Sequence, residues 1–305
     1  MNSIKSKFNL PKLSIQQLIK WLVYSLLLIN FALYFKIDLQ VATHTMRHGG
    51  TFLEWTRSFA TTIDESAWVL LLILFELETY VLSDEPLSRP KAFLMHGIRV
   101  VCYISLAHTL YALAVYLYDV NTAKAVKDVT SLCQLLGKDI SYTANLVYTE
   151  INASNCKTLS NAAEFVYLDP PNFIIVTDLQ AINVVNELAW VDLIEAITWL
   201  LILFIIESLV LLQDRGIATG SLFNSLKVIK ILFYLLLWAA LVYWIYRGHY
   251  MFAWDEFMWI AGFYVIGMNM DQWQDEIIAK DQAEKSRTNA DDLENNVSNA
   301  DKSFG

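Results

Sequence analysis

The chain is poor in charge, in glycine and proline, and in cysteine. Of its 305 residues only 17% are Asp, Glu, Lys or Arg, against about a quarter in an ordinary soluble domain. The formal net charge is −9 and no basic stripe exists to neutralise phosphates, which excludes nucleic acid as a partner. Three cysteines are too few for a disulfide-dense secreted scaffold. With ten glycines and five prolines, there is no P-loop, dinucleotide fingerprint or selectivity-filter run. HExxH and the nucleophile elbow are also missing. No cofactor and no catalytic constellation are expected, so the chain is read as not an enzyme. His44 and His48 at i, i+4 are only two ligands followed by Gly49 and Gly50, short of a metal site; no metal is expected. No proline falls inside an apolar run, against the broken helices of inverted-repeat transporters.

What the chain has in excess is apolar surface: 56% of residues belong to the set AVILMFWYC. They cluster in long runs with short polar gaps, the pattern of a lipid-embedded protein. Six runs are long enough for a hydrocarbon layer about 30 Å thick, at about 1.5 Å per helical residue: Gln17–Lys36, Ala67–Leu82, Phe93–Tyr118, Leu188–Leu212, Val228–Tyr246 and Met251–Met270. The first is longer than a signal-peptide core and no small-residue cleavage site follows it, so it is expected to remain as an anchor. Lys and Arg near the membrane set orientation. An N-in, C-in arrangement keeps 14 of the 22 basic residues inside, among them Lys20, Arg99 and Lys230.

The expected fold class is therefore an all-α integral membrane protein of six transmembrane helices. Residues 1–16 form a cytoplasmic N-terminus, and 17–118 hold helices one to three with an interfacial outer loop at 37–66. Residues 119–187 form an extracytoplasmic domain, 188–270 hold helices four to six, and 271–305 form an acidic cytoplasmic tail, partly disordered. In the outer loop, Thr51–Phe59 reads as a short interfacial helix with Phe52, Trp55 and Phe59 on one face. The outer domain is expected to be small and mainly helical, because Val126, Val129, Leu132, Leu136 and Ile140 recur at helical spacing. Asp169-Pro-Pro171 breaks the pattern, and Phe173–Thr177 suits a short strand. Cys133 and Cys156 both fall in this domain and are expected to be bridged on the oxidising side. Cys102 reads as a small apolar filler.

The apolar runs resemble one another. Leu71-Leu-Ile-Leu-Phe75 returns as Leu200-Leu-Ile-Leu-Phe204, and Glu78 falls on Glu207 in the same alignment. Asp64-Glu65-x-x-Trp68 returns as Asp255-Glu256-x-x-Trp259. The expectation is three parallel helical-hairpin repeats, with the outer domain inserted between helices three and four.

That repeat places ionisable groups in layers. Glu78 and Glu207 lie near the inner ends of the even spans, with Lys20, Arg99 and Lys230 at comparable depth as counter-charges. Lys and Arg can extend to the headgroups and Glu cannot. An intramembrane carboxylate must pair with a base, take up a proton, or line a wet cavity, and these imply respectively structural glue, proton coupling and cation conduction. Glu76, out of phase with Glu78, adds a further candidate. A second layer lies toward the outside: Asp64, Glu65, Asp192, Glu195, Asp255 and Glu256. Helix N-termini favour most of these through the macrodipole, but Glu195 lies deeper and is the outer cation contact.

The function expected is an ion or proton channel or transporter using Glu76, Glu78, Glu195 and Glu207. The lipid bilayer is the partner, and a pore lies either at the centre of the bundle or on the axis of a homo-oligomer. The alternative is a non-enzymatic scaffold, sensor or assembly partner that binds a protein through its outer domain or acidic tail.

Overall fold

A computed structural model describes residues 15–77, 89–170, 172–217, 219–264, 267, 274–275, 278–279 and 282–283. Helices dominate: α1 (Ile15–Thr45), α2 (Phe52–Ser58), α3 (Ala60–Glu76), α4 (Arg89–Asn121), α5 (Ala181–Asp214) and α6 (Ser221–Arg247). A further helix, α7, covers 250–264. Four of these, α1, α4, α5 and α6, are long and apolar enough to cross a membrane. A fifth span results if α2 and α3, bent by 69° at Phe59, are counted together. The end of the expected second span, including Glu78, lies outside the described residues, as do most of the sixth beyond 264, residues 1–14 and most of the tail.

The helices bury a common apolar core and show an apolar exterior. Leu27 of α1, Leu71 and Phe75 of α3, Leu106 of α4, Ile202 and Ile206 of α5, Leu237 of α6 and Phe263 of α7 share one cluster. Trp21, Phe93, Phe204 and Val242 face outward and stay exposed. That is the reverse of a soluble bundle and suits a helix exterior solvated by lipid chains. Along the chain, α1 packs on α3, α3 on α4, α4 on α5 and α5 on α6. The α6–α7 turn is made by Gly248, whose φ of +82° is left-handed backbone suited to glycine.

Two expectations need correction. Helix α1 does not stop at Lys36 but continues to Thr45. Polar residues dilute the hydropathy there without breaking the helix, and buried Asp38 accepts from the Thr62 amide (2.9 Å) and hydroxyl (2.7 Å). The short helix at Thr51–Phe59 is present as α2, started by a Thr51–Glu54 capping box.

The second correction concerns the outer domain, which is a small sheet and not mainly helical. Five strands, β1 (Lys124–Ala125), β2 (Ser141–Ala144), β3 (Val147–Glu150), β4 (Phe165–Tyr167) and β5 (Ile175–Asp178), pair in the order β1-β4-β5-β2-β3. All pairs are antiparallel except β2 with β5. The stripe that suggested a helix did identify core residues: Val126, Val129, Leu132 and Ile140 are buried together, whereas Leu136 is exposed. Left-handed backbone at Asp128, Gly137 and Asp139 breaks the chain into turns, with a short 3-10 turn at Leu132–Leu135, so one helical face never forms. The expected Cys133–Cys156 disulfide is present, and Cys102 is a buried free thiol.

The sheet is tied to the bundle through its ends. Asp178 closes β5 and accepts from the Gln180 and Ala181 amides at the start of α5, from Tyr142 Oη (2.7 Å) and from Ser160 Oγ (2.6 Å). Burial alone would raise this carboxyl, but those hydrogen bonds outweigh it and hold it below its ordinary value. Its stabilisation is therefore present above the ordinary aspartate range and is lost as acid protonates the folded form. Asp178→Ala should destabilise the outer domain by about 1–3 kcal/mol at neutral pH. The difference from wild type, read by thermal unfolding, should shrink below pH ~4.

Candidate functional site

Two acids of the layer expected to lie inside, Glu76 and Glu207, are paired. Lys20 Nζ of α1 lies 2.8 Å from Glu76 Oε1, and Tyr24 Oη donates to Glu76 Oε2 at 3.0 Å. Arg99 Nε of α4 stands 3.4 Å from Glu207 Oε1, which also accepts from Tyr103 Oη. Arg99 lies over the Phe75 ring at 5.4 Å. Lys230 lies on α6, and Glu78 falls outside the described residues. Of the sequence candidates, then, Glu76 and Glu207 are joined to bases on adjacent helices, the arrangement of helix-to-helix glue. Replacing Glu76 by Gln should cost about 1–3 kcal/mol of thermal stability in detergent. The exchange Lys20→Glu with Glu76→Lys should recover most of that loss.

The outer layer is different. A cavity of about 430 Å³ runs between the helices and reaches the outer domain, where Leu168 and Asp169 line it. Among its described lining residues are ten acids and a single base, Arg57. That base is engaged elsewhere, with Nη2 at 3.1 Å from Asp119 Oδ2. The six acids of the expected outer layer all line this one cavity: Asp64 and Glu65 from α3, Asp192 and Glu195 from α5, Asp255 and Glu256 from α7. Glu65, Asp255 and Glu256 are buried, with exposures of 4%, 8% and 3%.

Neutral donors, chiefly indoles, hold five of these six carboxylates. Trp68 Nε1 donates to Asp64 at 3.1 Å, Trp259 Nε1 to Glu65 Oε1 at 3.2 Å, Trp199 Nε1 to Glu256 Oε2 at 3.1 Å and Trp244 Nε1 to Glu195 Oε2 at 2.8 Å. Asp255 Oδ1 accepts from the Nδ2 of fully buried Asn30 at 2.9 Å, and Trp254 Nε1 donates to the Asn30 oxygen. The two Asp-Glu-x-x-Trp copies therefore meet in space, since Trp259 of one reaches Glu65 of the other. The second oxygens of two acids, Glu65 Oε2 and Glu256 Oε1, are buried and receive no N–H or hydroxyl donor, and each acid lies within hydrogen-bonding reach of another, Glu65 of Asp255 and Glu256 of Glu195. An indole N–H satisfies one lone pair without neutralising any charge. The layer thus differs from the inner one in kind.

Sequence reasoning singled out Glu195 from this layer, placed Asp192 on the same helix face, and assigned Asp64, Glu65, Asp255 and Glu256 to helix ends; the structure brings all six together. The signal that could have found the rest was already visible, in the repeated tryptophan that follows each Asp-Glu pair. Neither His44 nor His48 joins the cavity lining. Among the described residues, no group of three or more His, Cys, Asp or Glu side chains is arranged to hold a metal ion.

Where the cavity lining reaches the sheet domain, outside the spans, Asp169 accepts from the Ile175 amide (2.8 Å) and the Ile174 amide (3.1 Å). Burial pushes its carboxyl up to about 6; the two amides oppose the rise and the Asp119 charge adds to it. A raised value means that folding binds a proton, so the associated stability is full below the ordinary 3.8 and is lost as pH rises through about 6. Thermal unfolding from pH 4 to 7 should show a shallower loss of stability in Asp169→Asn than in wild type.

No protein-family model, curated protein or solved structure matches the chain.

Proposed function

We propose that the chain is an integral membrane protein that draws cations or protons from its outer side into the acidic chamber, acting as an ion or proton channel or transporter. The observation that carries this reading is the chamber: six acids from three alternate helices, five of them held by tryptophan or asparagine, with the one base among its described lining residues tied to Asp119. Uncompensated carboxylates in a low-dielectric interior are costly, and a bound proton or cation relieves that cost. Ten acids around one cavity also concentrate cations at its mouth. In this reading Glu195 and its five neighbours are the functional carboxylates. Glu76 and Glu207, with Lys20 and Arg99, hold the inner helices together.

The finer architecture belongs to the same proposal. Six spans with both termini inside would put the sheet domain and the chamber mouth outside. Three hairpin copies would account for the even helices α3, α5 and α7 each contributing a pair of acids.

The test is flux in proteoliposomes across several pH values. Glu195→Gln and Glu65→Gln should each reduce cation or proton flux at least tenfold, while the Lys20→Glu with Glu76→Lys exchange retains it. Wild-type flux equal to that of empty liposomes, or flux indifferent to both glutamine variants, would overturn the reading.

A further inference from the structure

The chamber is larger than one coordinated ion requires and lies within the range of small-molecule pockets, about 300–1,000 Å³. Its described residues offer no metal-chelating group, whereas a bare hard cation such as calcium asks for six to eight oxygens at about 2.3–2.6 Å. The lining pairs acids with aromatic rings instead. Trp68, Trp199, Trp259 and Phe263 form one packed quartet: Trp68 lies 5.9 Å from Trp199, 6.2 Å from Trp259 and 5.6 Å from Phe263, and Trp199 lies 5.2 Å from Phe263. All four line the cavity.

The two oxygens that receive no donor belong to this same quartet. Glu65 is held through its other oxygen by Trp259, and Glu256 through its other oxygen by Trp199. Both glutamates are over nine-tenths buried and line the cavity. Two fixed carboxyl groups, each beside a further acid, next to a wall of aromatic rings match a particular chemistry. An organic ammonium brings N–H donors and positive charge to the oxygens, while its C–H surface and its charge both favour the ring faces.

We infer that the chamber binds a primary organic ammonium, with the head on Glu65 Oε2 and Glu256 Oε1 and the apolar body against the tryptophan quartet. This inference rests on the proposed cation chamber and names the class of cation that the chamber takes.

The experiment uses the full chain in lipid nanodiscs, with 2-phenylethylammonium as the probe and 2-phenylethanol as its uncharged counterpart. Binding is read by tryptophan fluorescence and calorimetry. The ammonium should bind saturably, the alcohol at least tenfold more weakly, and Glu65→Gln and Glu256→Gln should each weaken the ammonium at least tenfold. Equal binding of alcohol and ammonium on the wild type would overturn the inference without recourse to any variant. So would absence of ammonium binding, whether or not potassium or calcium binds. Should one glutamate variant fail to fold, the other and the wild-type comparison still decide. The two proposals fail separately. Glu195-dependent flux of potassium or protons without ammonium binding removes only the ligand class. Ammonium binding in a protein that moves no cation removes only the transport reading.

Discussion

The molecule is organised by the cost of keeping carboxylates away from water around a cavity whose described lining offers a single base, Arg57. The outer acids are not scattered along the surface of the helices. Six of them converge from α3, α5 and α7 on one cavity, and indole N–H groups hold four of the six. An indole donor is a weak answer to a full charge, because it satisfies hydrogen bonding while leaving the electrostatic cost in place. Such carboxyls are costly to ionise and are answered only by a proton or by a positive charge from outside the layer.

The inner layer shows what the alternative looks like in the same protein. Lys20 with Glu76 and Arg99 with Glu207 are acid–base pairs between neighbouring helices, supported by Tyr24 and Tyr103. Such pairs carry no net charge and need nothing further. One bundle therefore contains two treatments of intramembrane acids, one neutralised within the protein and one left open to a cavity. The sheet domain completes the open one. The β2–β3 hairpin tip turns through Asn145 and Leu146, both with positive φ, an arrangement that disfavours leucine. The strained Leu146 packs with Leu188 and Trp244 at the top of the helices, and Asn145 meets His249 at 3.0 Å. Packing against the bundle thus supports the turn and fixes the sheet where it meets the cavity lining.

The parts of the site legible in the sequence were those carried by residue type and local spacing. Glu195 stood out because a carboxylate two turns into an apolar run has no cheap local explanation. Cys133 and Cys156 were paired because few other residues could stabilise so small a domain. The repeated Asp-Glu-x-x-Trp was visible too, but only as a sign that the apolar runs resemble one another. Trp68 donates within its own helix to Asp64, but Trp259 donates across helices to Glu65, a partner that local spacing does not reveal. Likewise Glu76 looked like the odd carboxylate of its helix until Lys20, on a different helix, proved to be its partner.

Hydropathy and composition, which belong to short windows of chain, determined by themselves that this is a largely apolar helical protein with acids inside its helices and a polar insert carrying two cysteines. Only the tertiary structure decided that the insert is a sheet, that α1 runs on past Lys36, and which acids share a cavity and which share a base. The physical reason is the same in each case. Strand pairing, helix contacts and hydrogen bonds between spans join residues remote in sequence, and a periodic stripe such as Val126, Val129 and Leu132 marks what is buried without marking the backbone that buries it.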